Sequence, residues 1–457
     1  MLSRIKSDGS HLLQFALDYK TLDRRLQESA TGCCLDEFYK AMPDTLGGLL
    51  ELVYDINHYP IIRIYEELVY AGGLSNVVAQ EVCLHALSDS KREMFISTPQ
   101  INRPDRLILR IPFADARIDI LASMRLAEVP EEEVWSLLDR DSANYDEGRA
   151  RLAKFVTSEA PERKAPNYDG TGIRVRYFGH ACVLLQTSEV SILIDPLLAL
   201  ERNHPSTLTI SDLPDNIDYV VISHCHQDHF CPEVLLQLRN RVRRIIVPRN
   251  TKGSLIDPSL KLILRSLGCL QVLEVDATDK ISVPGGFILS LPFPGEQCGL
   301  DISGKQTIAI NLLGRKFLFL VDSEGLDPRL YDRIRSYISN VEMLFIGQES
   351  HGAPATWAYG PMMTRPLSPT DDSSRRANGC NCERALNIVD RIGCSQAYAY
   401  AMGMEPWTRY LLGLEYTSDS VQIKESDAFV EQCRKAGIIS DRLNGAREWS
   451  FEPADDL

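Results

Sequence analysis

The sequence predicts a two-domain α/β protein whose second half builds a metal site along one edge of a sheet. At 457 residues the chain is longer than one ordinary hydrophobic core organises. From Ile173 onward, apolar runs bounded by turn residues recur and read as strands. One of them, ending at Ile222, runs into Ser223-His224-Cys225-His226-Gln227-Asp228-His229, which places three of the nine histidines within six positions. On a loop leaving a strand, His224 and His226 can point two ring nitrogens at one cation, while Asp228 and His229 serve a second.

The bulk composition agrees with a globular fold: 44% hydrophobic and 25% charged residues. A net charge of −14 argues against a nucleic-acid partner, whose footprint is basic. No apolar run approaches a membrane span, and Met1 to Asp8 lacks the apolar core of a secretory signal, so a cytoplasmic location is expected. The twelve cysteines show no framework spacing and are expected reduced. Cys33-Cys34 and Cys380-x-Cys382 are too close together for a usual zinc pair and read as structural.

Residues 1–165 are expected to form an N-terminal α/β domain serving dimerisation or partner docking. Apolar spacing predicts a helix from His11 to Leu26 and another from Leu46 to Ile56. Leu107 to Pro112 reads as a strand, and Pro130-Glu131-Glu132-Glu133 opens a helix with the acidic first turn its dipole favours. His11, His58 and His85 have no ligand spacing. The polar stretch 158–170, punctuated by Pro161, Pro166 and Gly170, marks a linker, so the second domain is taken as 166–457.

In that domain Arg174 to Phe178, Val183 to Gln186 and Ile192 to Ile194 follow at hairpin intervals. His180 occupies the first turn, and Asp195 ends the third strand. Further strands end near Glu296, at Asp322, and near Glu349 and His351. Each delivers a potential ligand at its last turn or just beyond, so one sheet edge collects the set.

His224-x-His226-x-Asp228-His229 after a strand resembles the signature of the metallo-β-lactamase fold. The resemblance implies an αββα sandwich with a dinuclear site at one edge. It also suggests that Asp195 supports the ligands from behind, and His180 is either a second such support or simply packed.

Dinuclear zinc hydrolases of this fold normally place another imidazole before the bridging aspartate, yet no histidine lies between His229 and His351. The strand that should carry it ends in Pro294-Gly295-Glu296. A carboxylate there adds negative charge and a hard oxygen, which favours iron over zinc. Pro292-Phe293-Pro294-Gly295-Glu296, Asp322 after Phe319-Leu320-Val321, the run Gly347 to Pro361, and Tyr400-Ala401-Met402-Gly403-x-Glu405-Pro406-Trp407 together resemble the diiron β-hydroxylase family of nonribosomal peptide assembly, whose familiar member serves chloramphenicol biosynthesis. By this resemblance His224, His226 and Glu296 serve one iron. Asp228, His229, Asp322 and a late histidine, for which only His351 is available, serve or bridge to the second, with Glu349 close enough to compete.

The resemblance implies two Fe ions, O2 and an external electron donor. It implies β-hydroxylation of an amino-acyl or peptidyl substrate tethered to a carrier protein, and a homodimer is expected from the N-terminal domain. Trp357, Tyr359 and Trp407 either wall a substrate pocket or pack in the core. The polar stretch 368–379 reads as a mobile surface loop, or as a lid or docking loop whose Arg375 and Arg376 meet a phosphopantetheine phosphate or partner carboxylates. One rival is a dinuclear zinc or manganese hydrolase of lactonase or phosphodiesterase type. The other is a silent interaction module that kept the fold.

Overall fold

The computed structural model describes residues 10–72, 77–86, 88–89, 92, 105–140, 144–202, 204–295, 297–363, 366–374, 377 and 379–454. The N-terminal part holds two antiparallel hairpins, β1 (Leu50–Tyr54) with β2 (Pro60–Ile64) and β3 (Val82–His85) with β4 (Arg106–Leu109). The expected helix from His11 to Leu26 lies within Ser10–Ser29. The one expected from Leu46 to Ile56 is instead β1. Its Leu50 and Leu52 alternate inward with period two, and pairing with β2 overrides the helical spacing of the apolar residues. This region builds two small cores, one around Leu22, Leu26, Leu50 and Ile62, the other around Leu107, Leu109, Ile118 and Leu152.

Seven strands form the first large sheet. Six run in chain order: β5 (Ile173–Gly179), β6 (Cys182–Gln186), β7 (Ser191–Ile194), β8 (Ile217–Val221), β9 (Val242–Pro248) and β10 (Val272–Val275). The second sheet is β11 (Lys280–Val283), β12 (Gly286–Leu291), β13 (Thr307–Leu312), β14 (Arg315–Phe319), β15 (Val341–Gly347), β16 (Cys394–Tyr400) and β17 (Ile439–Arg442). The last strand, β18 (Arg447–Phe451), returns to pair antiparallel with β5.

The sheets face each other across one apolar layer, where Val175, Tyr177 and Ile192 meet Ile308, Phe319 and Phe345. Helices Pro232–Leu238 and Leu260–Ser266 cover the outer face of the first sheet, and Arg329–Tyr337, Cys382–Ile392 and Val421–Lys435 that of the second. This is an αββα sandwich. Each fully buried large apolar side chain contributes roughly 1.5–3 kcal/mol, so the double layer fixes the strand ends firmly. Because β7 to β10 and β14 to β17 run parallel, their C-terminal ends share one edge. Among the described residues, no helix is long and apolar enough to cross a membrane.

Candidate metal centre

At that edge several strands stop in the left-handed region, which non-glycine residues seldom adopt. His180 follows β5 with φ 50°, Asp195 follows β7 with φ 39°, Val321 follows β14 with φ 51° and Ala401 follows β16 with φ 51°. Each conformation costs free energy that the packed sheets must offset, and such strain collects at functional sites.

The loop after β8 is held from both sides. Ser223 N–H donates to Asp195 Oδ1 at 2.7 Å and Ser223 Oγ donates to Asp195 Oδ2 at 2.6 Å. Gln306, at the entry to β13, donates from its backbone to the Ser223 carbonyl and from its side chain to that of Ile222. Because Ser223 Oγ donates to Asp195, it accepts from His224 Nδ1 at 2.9 Å. His229 Nδ1 donates to the same Asp195 Oδ2 at 2.9 Å. Both rings therefore commit Nδ1 to this support and turn Nε2 toward the centre, where neither nitrogen finds a hydrogen-bond partner of good geometry.

Asp322 Oδ2 lies 3.4 Å from His224 Nε2 and 3.1 Å from His229 Nε2. Asp228 Oδ2 lies 3.3 Å from His229 Nε2 and 2.9 Å from His180 Nε2. The ligand atoms of His224, His229 and Asp322 all fall within 4.8 Å of one another, as do those of His180, Asp228 and His229. Asp228, Asp322 and Glu349 are all buried. Buried carboxylates gathered this closely call for a cation.

Burial and the neighbouring charges shift these groups in opposite directions. Burial, aided by His229 and His226, pushes the His224 imidazole well below its usual pKa, and burial also lowers that of His226. Burial opposes charge on His229, but Asp322, Asp228 and Asp195 outweigh it and raise its pKa well above the ordinary value. Burial likewise works against the Asp228 carboxylate. His229 and the hydrogen bonds from His180 and His229 outweigh that and hold Asp228 well below the usual range. Glu349 is pushed well above it by burial and then by Asp228 and Asp322, and it lies outside both ligand groups.

His226 packs against His224 with ring centroids 4.4 Å apart, and its Nε2 meets Tyr359 Oη at 2.7 Å. His351, expected as the late ligand, lies outside both groups and turns Nδ1 to the Gly379 carbonyl at 3.2 Å. His180 proves buried and bonded to Asp228. Trp357 donates to the Leu412 carbonyl, and Trp407 is buried in the first sheet's outer core. Within the expected loop at 368–379, Pro369–Ser374 forms a short helix whose Asp372 accepts from Thr356. Glu296, Arg375 and Arg376 lie outside the described residues. Sequence reasoning missed Ser223, since a serine beside a histidine carries no signal until Asp195 is seen behind it.

An αββα sandwich with this His/Asp cluster at its loop edge defines a metallo-β-lactamase-fold metalloprotein, and residues 174–286 match the β-lactamase superfamily domain. Residues 1–160 match the diiron non-haem β-hydroxylase N-terminal domain. The chain is 34% identical over 433 residues, 92% of its length and 80% of the relative's, to the 4-amino-L-phenylalanyl-[CmlP-peptidyl-carrier-protein] 3-hydroxylase of Streptomyces venezuelae. The crystal structure of CmlA, a diiron β-hydroxylase from Streptomyces venezuelae, superposes with a TM-score of 0.84 at 32% identity, covering 97% of this chain and 82% of that one. A UPF0173 metal-dependent hydrolase of Hyperthermus butylicus is 34% identical over only 74 residues, 16% of this chain and 31% of its own. The chain belongs to the diiron non-haem β-hydroxylase family. It is a non-haem diiron enzyme of O2 chemistry.

Proposed function

We propose that this enzyme hydroxylates the β-carbon of an amino acid held as a thioester on a carrier protein. The similar hydroxylase of Streptomyces venezuelae acts on such a carrier-bound residue. The observation that carries the reading is the pair of buried Nε2 atoms of His224 and His229 set against the carboxylates of Asp228 and Asp322. In this reading His224, His226 and Glu296 hold one iron, and Asp228, His229 and Asp322 hold or bridge to the second. Glu349, a buried carboxyl on the same loop, takes the place expected of His351, whose Nδ1 is turned to the Gly379 carbonyl.

When bound, the two irons supply dioxygen activation, with two electrons from an external donor and two protons, leaving one oxygen on carbon and one in water. The chain's own part is orientation and exclusion of water. Asp195 and Ser223 fix which nitrogen each imidazole presents. Tyr359, 2.7 Å from His226, stands where a substrate chain would approach, and the small apolar cluster of Cys298, Ile302, Ala355 and Tyr359 supports a wall there.

The test is incubation of aminoacyl-charged carrier with reductant and isotopically labelled dioxygen, read by mass spectrometry, beside metal analysis of the purified protein. A single labelled oxygen on the amino acid with iron bound is expected. Zinc or manganese in the site, with hydrolysis and no label, would sink the reading in favour of the hydrolase. The region 1–165 is proposed to engage the carrier or a second copy, since helix Ser10–Ser29 exposes Leu12, Leu13 and Leu17. A homodimer by sizing is the expected result, and a monomer would count against it.

A further inference from the structure

The stretch Gly403-x-Glu405-Pro406-Trp407 lies beyond β16 and takes no part in the ligand set, yet it bonds His180 both at the ring and at the backbone. Gly403 N–H donates to His180 Nδ1 at 3.2 Å. That leaves the proton on Nε2, so the neutral ring donates to Asp228 Oδ2 at 2.9 Å. The backbone of His180 is clamped as well. Its carbonyl accepts from Ala401 N–H at 2.9 Å, and its N–H donates to Glu405 Oε1 at 2.8 Å.

Glu405 is itself fixed. Oε1 also accepts from Tyr177 Oη at 3.0 Å, and its backbone carbonyl accepts from Thr408 Oγ1 at 2.7 Å. The carboxylate is only 2% exposed, and Oε2 has no hydrogen-bond partner. Close packing removes any slack. Gly179 has φ 122°, and a Cβ there would come within 2.4 Å of the Trp407 ring and 3.2 Å of Glu405. A buried carboxylate with one idle oxygen is costly for stability alone, which points to a task performed by the other oxygen.

We propose that Glu405 is a positioning residue for the hydroxylation reaction, acting through His180 to aim the Asp228 carboxylate at its iron. In this reading His180 is no ligand although its ring lies beside Asp228 and His229, because Nδ1 accepts from Gly403 and Nε2 donates to Asp228, which leaves no nitrogen free for a metal. Glu405 holds the strained backbone of His180, Gly403 sets its tautomer, and the ring then fixes one oxygen of Asp228. The proposal rests on the reading of Asp228 as an iron ligand.

The experiment compares full-length H180A, E405A, E405Q and H180A/E405A with the wild type, by iron per chain, Mössbauer spectra of the diferrous protein and turnover on charged carrier. E405Q keeps the acceptor oxygen and should stay near wild type in all three. E405A and H180A should lose turnover about tenfold or more, the usual scale for groups that orient ligands. Both should alter the signal of one iron and leave the other unchanged. The double variant should be no worse than H180A, because Glu405 works only through that ring.

A wild-type spectrum and turnover in E405A would overturn the proposal, as would E405Q as damaged as E405A, or a double variant whose losses multiply. If E405A fails to fold, E405Q and H180A still decide it. E405Q must remain intact, and H180A must change one iron alone. D228A separates this from the site reading: full iron with an unchanged spectrum there would mean Asp228 is no ligand, and the proposal would fall with that assignment whatever Glu405 does.

Discussion

At the scale of single residues, Asp195 carries more than any ligand. One carboxylate accepts from Ser223 twice and from His229 Nδ1, and through Ser223 it also sets the tautomer of His224. Asp195→Ala should leave three buried donors without an acceptor. Each such loss costs about 1–3 kcal/mol, and loss of ligand orientation weakens metal binding by about 10–100-fold. Iron titration and thermal unfolding would show both effects, and unchanged iron affinity would refute this role. Glu349 and His351 divide the expectations more sharply. His351→Ala should retain its iron, because the ring is turned to Gly379, whereas Glu349→Ala should lose part of it. The reverse pattern in an iron assay would restore the histidine as the ligand.

At the scale of elements, much of the site was legible because a strand ending in a ligand writes both facts in consecutive letters. Val220 to His229 showed a buried strand and its metal loop together, and the strands before Asp195 and Asp322 did the same. Illegible were contacts that close over long separations, such as Glu405 on His180, since nothing local records which loop will face which. The β1 hairpin was hidden for a different reason. Leu46, Leu50 and Val53 fit a helix spacing as well as a strand, and only β2 decides between them. Gly179 shows how tightly one element end is set. Gly179→Ala places a methyl against Trp407 in a backbone region alanine resists, so β5 must shift and carry His180 with it. Lower thermal stability together with reduced iron content is expected, and a variant with wild-type melting and iron would contradict the close fit.

At the scale of the whole molecule, the N-terminal region does not stand apart from the metal-bearing half. Asp89 is buried against it, its carboxylate accepting from the N–H groups of Leu200 and Glu201. Arg92 pairs with Glu233 at 2.8 Å and lies 3.5 Å over the Tyr410 ring. Arg239 reaches back to Asp119 at 2.7 Å and to the carbonyls of Phe113 and Asp115. Glu233 lies in the first turn of the helix Pro232–Leu238 and Arg239 caps its end, and this helix begins three residues after His229. Removal of residues 1–165 therefore strips partners from the element that backs the metal loop, and not only a docking surface. Arg239 is nearly buried, and its loss of hydrogen bonds to charged and carbonyl acceptors should cost several kcal/mol at about 1–3 each. The fragment 166–457 should thus melt well below the full chain and hold iron less tightly. Arg92→Ala in the full chain should reproduce a small part of that loss while leaving the N-terminal cores intact. Calorimetry and iron analysis of both proteins check this, and a fragment as stable and as iron-replete as the whole chain would show that the two halves are merely tethered.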